Sequence, residues 1–261
     1  MEYEILYPEA FPIVKCQLRR GERIKAESDA MIAMDATIDI EGKMQGEGVK
    51  GILKGLARKF LADESFFFQE MIAKRGDGTV LFGHAIPGGI LDVELDGSYG
   101  LMVQKDGFLA STKDIEIDTK MQNLSKGFLS GEGFFVLHVK GSGTVFISSY
   151  GMIHPINLGE GQEVVIDNSH LVAWPDYMDY KIEKASKGWI SSFTSGEMLV
   201  CRFRGPGVIL IQTRNPSSFG DWIKSFLPAA TSGSRSSASG LSSFFGNSDS
   251  SSDSDSSDDS E

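Results

Sequence analysis

One order of sequence elements occurs three times in this chain, and that repetition constrains the fold more than any other feature. Each copy runs from a glutamate through an apolar run and a Gly-x-Gly site to a second apolar run. The glutamates Glu64, Glu132 and Glu197 are 68 and 65 residues apart. A repeated unit buries its apolar face against its neighbours, so we expect the three copies to form one body.

The residues that precede each glutamate predict further strands. In every copy a short turn with glycine is followed by an apolar run and then by alternating apolar and polar residues. Period-two alternation is typical of half-buried strands. We therefore predict an all-β fold with three internal repeats, pseudo-three-fold symmetry and short amphipathic connector helices. The predicted glycine turns lie at residues 18–24, 95–101 and 158–164.

The Gly-x-Gly sites at 76/78, 141/143 and 205/207 have two interpretations. A phosphate-binding loop would be followed by a helix, but each of these sites lies between two apolar runs. The pattern therefore favours hairpin turns between strands.

The repeats define one folded domain at residues 1–228. Asn215 and Pro216 predict the start of a C-terminal helix at 215–227, because Asn caps a helix and Pro suits its first position. Residues 229–261 are rich in Ser and Asp and lack the apolar content that folding needs, which predicts a disordered acidic tail. The predicted units span about 11–83, 86–151 and 153–213.

Composition narrows the location and the partners. The formal net charge of −11 argues against a sequence-independent nucleic-acid binder, which needs a basic surface. Cys16 and Cys201 are the only cysteines, which fits a reducing compartment and excludes a cysteine-based zinc cluster. No apolar run approaches the roughly 18 residues of a membrane span. Residues 1–4 do not resemble a secretory signal or a presequence, so we predict a cytoplasmic protein.

Residues 49–61 are the best candidate for contact with a membrane or a protein partner. Apolar residues recur there at helical spacing, and Lys50, Lys54 and Arg58 lie four apart on another face. A basic amphipathic helix of this kind binds an anionic membrane surface or a partner, or else it packs on its own β body. The candidate contact residues are Val49, Lys50, Ile52, Leu53, Lys54, Leu56, Arg58 and Phe60.

The repeated glutamates also have two interpretations. As symmetry-related carboxylates, Glu64, Glu132 and Glu197 would converge on an axis and hold a cation. As turn residues they would accept backbone N–H bonds, which we favour because repeated units repeat their structural polar contacts. The four histidines form no His-x-His pair with a nearby Glu, so no metal site is predicted. No catalytic motif or cofactor motif is found, and we predict a protein that is not an enzyme and carries no cofactor.

The acidic tail contains candidate phosphorylation sites. Ser250, Ser252 and Ser256 each have an acidic residue three positions further on, which is the pattern of acidophilic kinase sites. Phosphorylation there would make the tail still more negative.

Several stretches resemble the Altered Inheritance of Mitochondria protein twenty-four family. They are Arg58 to Phe67, the Gly-Glu strand openings, and Thr213 to Pro216 leading to Phe219 and Trp222. The similarity covers about residues 5–227. It implies a fold like that of the trp RNA-binding attenuation protein, a short double-stranded β-helix type, in three repeats. It also implies a link to mitochondrial inner-membrane organisation for some members, and it brings no catalytic residues.

Two hypotheses about function follow. The first is a non-enzymatic scaffold or interaction protein that self-associates or binds a protein partner, with peripheral membrane contact through residues 49–61 and a mitochondrial location as an alternative. The second is a small-ligand or metal-binding β-helix protein that uses Glu64, Glu132 and Glu197. A shared fold alone does not decide between them.

Overall fold

The structure, a computed structural model, describes residues 1–44, 67–122, 134–184 and 199–227 of the 261-residue chain. Strands dominate these residues and form antiparallel sheets, as the alternating apolar pattern predicts. The all-β prediction is therefore confirmed. One α-helix, α1 at Pro216–Lys224, follows the last strand of the described residues.

The first block of the chain contains seven strands. They are β1 (Glu2–Leu6), β2 (Ile13–Leu18), β3 (Arg23–Glu27), β4 (Met31–Met34), β5 (Asp39–Met44), β6 (Phe67–Ile72) and β7 (Gly78–Phe82). Four of them form a sheet in the order β1-β2-β7-β4, and β6 lies between β3 and β5 in another sheet. The first block therefore contributes strands to two sheets.

The second block contains five strands. They are β8 (Ile90–Asp96), β9 (Leu101–Gln104), β10 (Phe108–Thr112), β11 (Ile115–Gln122) and β12 (Phe134–Ser148). Strand β12 is 15 residues long and has different partners along its length. Its first half pairs with β9 and β11, and its second half pairs with β8 and β10.

The third block contains six strands. They are β13 (Ile153–Leu158), β14 (Glu163–Asp167), β15 (Leu171–Pro175), β16 (Asp179–Lys184), β17 (Leu199–Arg204) and β18 (Gly207–Gln212). Strand β17 lies between β14 and β16 in a three-stranded sheet, and β18 lies between β13 and β15. Strands from all three blocks join in one eleven-stranded sheet.

The three predicted glycine turns are confirmed. Gly21, Gly97 and Gly161 have φ angles of +89°, +88° and +72°, the left-handed region that glycine enters without a steric penalty. Each glycine lies in the connection between two strands that begin or end within a few residues of it. Glycine is required at these positions because a side chain there would strain the backbone.

The interpretation of the Gly-x-Gly sites as hairpin turns is wrong. Gly141 and Gly143 lie inside the continuous strand β12. At the other two sites the flanking strands pair with other strands, since β6 pairs with β3 and β5 while β7 pairs with β2 and β4. Gly143 instead allows close packing, because a Cβ at this position would overlap the hydroxyl of Thr112.

Three clusters of buried apolar side chains form the core. The first contains Phe82 and Phe146, whose rings meet edge to face with centroids 5.6 Å apart. The second is centred on aliphatic side chains of the second block. The third contains Trp174 and Phe203, whose ring centroids are 5.4 Å apart. Each cluster draws mainly on one block of the chain.

The predicted C-terminal helix is confirmed with shorter bounds. The Asn215 side chain accepts a hydrogen bond from the backbone N–H of Ser218 at 3.1 Å, which is the cap that the sequence predicts. The ring of Phe219 contacts that of Tyr150, with centroids 5.5 Å apart. No residue of α1 is buried, so its apolar stripe retains solvent exposure.

Candidate interaction surface

The residues that the sequence singled out for function fall outside the described part of the chain. This holds for the connector at 49–61, for Glu64, Glu132 and Glu197, and for Ser250, Ser252 and Ser256. Contact with a membrane, the role of the glutamates and phosphorylation of the tail therefore remain predictions. The described residues carry a different candidate, formed by strand edges.

Two antiparallel strand pairs, which we call junctions, join the blocks of the chain. In the first junction β3 pairs with β10, and Ala26 lies opposite Ala110. In the second junction β9 pairs with β15, and Val103 lies opposite Ala173. All four of these side chains are fully buried. Each junction is therefore fully buried at this central pair of residues.

A constant spacing relates the strands of the junctions to one another. Ala26 lies seven residues before Ala33, Val103 lies seven residues before Ala110, and Ile166 lies seven residues before Ala173. The three alanines lie on β4, β10 and β15, and each of these strands pairs with the last strand segment of its own block. In each of these three pairings the register shifts at the same point, between the alanine and the residue two positions before it.

Two strands of this set have one free edge among the described strands. Strand β4 pairs with β7 alone, and β14 pairs with β17 alone. Strands β10 and β15 match β4 in position, and strands β3 and β9 match β14. Each of these four strands has a partner on both sides. The backbone N–H and C=O groups along a free edge are available to pair with another strand.

The free edges carry exposed apolar side chains. Ile32 and Met34 of β4 are 55% and 37% exposed, and Val165 of β14 is 38% exposed. Ala33 is exposed as well, whereas Ala110 and Ala173 are buried. An apolar strand with an open edge is a surface that natural proteins usually cover or protect with charge. The run Met31–Met34 contains no charged residue.

Sequence reasoning identified Met31–Met34 as a strand but missed its open edge. An uninterrupted apolar run normally predicts a strand buried on both faces. An apolar run does not encode how many partner strands it will have, and among the described strands β4 pairs with β7 alone.

A polar cleft of about 720 Å³ is a second feature of the described surface. The Tyr3 hydroxyl donates a hydrogen bond to Asp92 at 2.8 Å, and the Thr144 hydroxyl donates one to Glu94 at 2.5 Å. Burial, together with the hydrogen bond to Asp92, raises the pKa of Tyr3 to about 12. Tyr3 is therefore a neutral hydrogen-bond donor at physiological pH.

The same cleft contains charged groups with opposite signs. Arg23 contacts the buried carboxylate of Glu70 at 3.3 Å. The Lys25 ammonium donates a hydrogen bond to the carbonyl oxygen of Ile115 at 2.6 Å. Arg23 and Glu70 neutralise each other, whereas Lys25 keeps its charge and is held by a backbone oxygen. The cleft therefore presents both charged and neutral hydrogen-bonding groups.

The two cysteines are not suited to nucleophilic chemistry. Cys16 and Cys201 are fully buried. Burial raises the pKa of both thiols to about 12. A thiol attacks as the thiolate, so both side chains are inert at neutral pH and serve as core residues.

Glu27 and His84 occupy half-buried positions with unusual ionisation. Burial, with a further contribution from the carboxylates of Asp106 and Asp29, raises the pKa of Glu27 to about 7, against the opposing effect of Lys105. Burial also lowers the pKa of His84, opposed by the charge of Asp106. These groups make folding stability depend on pH in the neutral range.

The described residues contain neither a metal-binding cluster nor a membrane-spanning helix. Within residues 1–44, 67–122, 134–184 and 199–227, no three His, Cys, Asp or Glu side chains group closely enough to hold a metal ion. Over those same ranges, no helix combines the length and the apolar character that crossing a bilayer requires. The open strand edges are thus the best-defined candidate surface of the described chain.

Comparisons with known proteins give consistent matches over almost the whole chain. The family model described as Mitochondrial biogenesis AIM24 matches residues 3–214. An uncharacterised protein of Streptococcus pyogenes serotype M6 is 30% identical over 234 residues, which is 88% of this chain and 93% of that protein. A crystal structure of a Streptococcus pyogenes protein has a TM-score of 0.69 and 28% identity, and covers 87% of this chain and 99% of its own.

Proposed function

Because this chain belongs to the Mitochondrial biogenesis AIM24 family, we propose that it is a non-enzymatic scaffold that binds protein through the open edges of β4 and β14. The observation that carries this proposal is the contrast in burial between Ala33 and its counterparts. Ala33 is exposed, while Ala110 and Ala173 are covered by a neighbouring strand. Strand addition to an open edge is a general mode of protein recognition.

The proposed scaffold consists of three equivalent units, a finer description than the all-β class. Three features support it: the seven-residue spacing between strands, the shared register shift, and the arrangement of each strand pairing. In every block one strand segment is paired on both sides, and the two residues opposite any one of its residues are sixteen positions apart in the sequence. Arg23 and Asp39, for example, both lie opposite Ile72. Leu101 and Ile117 face Val139 in the same way.

The family description also supports a role in mitochondrial biogenesis, which we include in the proposal. In that setting the scaffold would hold other proteins at a membrane, with the basic residues of 49–61 as the membrane contact. An anionic lipid surface attracts such residues. The cytoplasmic location that the sequence predicts is compatible with a scaffold on the outer face of an organelle.

Binding of a small polar ligand is a second candidate function, and the polar cleft supports it. Its volume suits a small molecule, and Tyr3 and Thr144 converge on it with hydroxyl groups. A thermal-shift screen of polar metabolites would detect such binding. Loss of the shift in Tyr3→Phe, with no change in Tyr177→Phe, would assign the ligand to the cleft.

Photo-cross-linking from the strand edge tests the scaffold function. Benzoylphenylalanine replaces Ile32 on β4 or, as the control, Val208 on β18. Val208 is 41% exposed, and it lies on a strand that pairs with both β13 and β15. We expect cross-links to protein from position 32 in cells and far fewer from position 208. Equal or absent cross-linking at the two positions would contradict the proposal.

A further inference from the structure

The two junctions define one specific register for joining a unit to the next. Lys25 lies opposite Ser111 in the first junction, and Met102 lies opposite Trp174 in the second. Lys25 directly precedes Ala26, and Met102 directly precedes Val103. On the opposite strands, Ser111 directly follows Ala110, and Trp174 directly follows Ala173. The same geometric relationship is thus used twice in one chain.

The free edges of β4 and β14 are the two halves of a third junction of this kind. By the seven-residue spacing, Ile166 takes the place of Ala26 and Val103, and Ala33 takes the place of Ala110 and Ala173. Applying the register of the first two junctions puts Ile166 opposite Ala33 and Val165 opposite Met34. Both members of the second pair are exposed and uncharged in the single chain.

We propose that this third junction forms between two copies of the chain, with β14 of one copy paired to β4 of the next. The inference rests on the proposed scaffold function and names its partner as a second copy. Pairing would fuse the three-stranded sheet of one copy with the four-stranded sheet of the next, as β3 and β10 join two blocks within the chain.

A second copy fits these edges better than an unrelated partner for two reasons. The junction is already built twice within this chain, so the backbone pairing that the third junction needs is one that matching strands of this chain form. Closure within one chain does not occur, because β4 and β14 have no pairing with each other in the described structure. The two free edges of one chain are therefore left for other copies.

The proposed contact is head to tail. Each pairing uses β14 of one copy and β4 of another, so every pair still has one free β4 and one free β14. Repetition of such a heterologous contact gives a closed ring or a growing filament, depending on the rotation between copies. An isologous dimer through β4 and β4 would instead leave β14 unused.

Charge variants at the proposed opposing positions test the register directly. In Met34→Glu with Val165→Glu, each contact would place two carboxylates opposite each other, which destabilises a strand pair. In Met34→Glu with Val165→Lys, the charges opposite each other attract. Lys is compatible with this strand position, because Lys25 occupies the matching position of β3. Both variants change only exposed side chains, and Val208→Lys is the matched control.

The experiment is light scattering coupled to size exclusion, over a concentration series of the full chain. We expect the wild type and Val208→Lys to exceed the 28.4 kDa of one chain, the two-carboxylate variant to stay at that mass, and the opposite-charge variant to regain the wild-type mass. A monomeric wild type would overturn the inference. An opposite-charge variant that stays dissociated would overturn it as well, because that result indicates contacts between two β4 strands. Cross-links from position 32 to a different protein, with a monomeric wild type, would leave the scaffold function standing.

Discussion

Ala26 of β3 lies directly opposite Ala110 of β10, and neither side chain has any solvent exposure. This pair joins the first block of the chain to the second. Its counterpart, Val103 opposite Ala173, joins the second block to the third and is equally buried. Ala33 follows the same spacing but is exposed, and this difference is the basis of the proposed assembly.

Arginine at equivalent alanine positions is predicted to have opposite effects on folding and on assembly. Ala33→Arg places the side chain in solvent, so the free energy of unfolding should change by less than about 0.5 kcal/mol, while association is lost. Ala110→Arg forces a charge into the packed first junction and should destabilise the chain by about 3 kcal/mol or more. Urea unfolding and light scattering measure the two effects. Similar destabilisation by both variants would show that β4 is covered within the chain.

Stability should fall as the pH rises from about 4.5 to 7, partly because of Glu27. The pKa of this carboxyl is about 7 in the folded chain, against an ordinary value of 4.5. Between these values the unfolded chain has released a proton that the folded chain still holds, so rising pH favours unfolding. The groups that act on Glu27 are Asp106, Asp29 and Lys105.

Glu27→Gln removes this dependence. We expect the variant to be more stable than the wild type at pH 8 by about 1 to 2 kcal/mol, allowing for the partial solvent exposure of the group, and to be nearly equal at pH 4. Urea unfolding at the two pH values measures the difference. Glu4→Gln, at an exposed position of β1, is the control. An equal gain at both pH values would assign the effect to something other than ionisation.

Gly88 is predicted to be intolerant of any side chain. A Cβ at this position would overlap the backbone carbonyl of Ser149, which cannot move aside as a flexible side chain can. Gly88→Ala should therefore destabilise the chain by about 1 to 3 kcal/mol. Gly42→Ala is the matched control, because a Cβ on Gly42 of β5 meets no atom within 4 Å. Thermal unfolding of both variants decides the point, and equal melting temperatures would refute the proposed close approach.

Local patterns predicted the strands and turns well, because those features depend on neighbouring residues. The left-handed glycines at 21, 97 and 161 follow from turn chemistry, and Asn215 follows from helix capping. The Gly-x-Gly sites were predicted wrongly, since a hairpin requires the flanking strands to pair with each other. Which strands pair is a long-range property that a local pattern does not contain.

The candidate surfaces could not be predicted from the sequence for the same reason. The apolar run at Met31–Met34 indicates a strand, but its exposure depends on the absence of a partner on one side. The polar cleft brings together Tyr3, Lys113 and Thr144, which are far apart in the chain. Their proximity results from the packing of the first block against the second.

The most direct test of the proposed assembly is a disulfide between positions 34 and 165. Directly opposed residues of antiparallel strands have Cα separations within the range that a disulfide spans. Native Cys16 and Cys201 are buried and should not react in the folded chain. Met34→Cys with Val165→Cys should give, on mild oxidation, a reducible ladder of multiples of 28.4 kDa, while Met34→Cys with Val208→Cys should give only traces. Oxidised chains that stay at the mass of one copy would contradict the account.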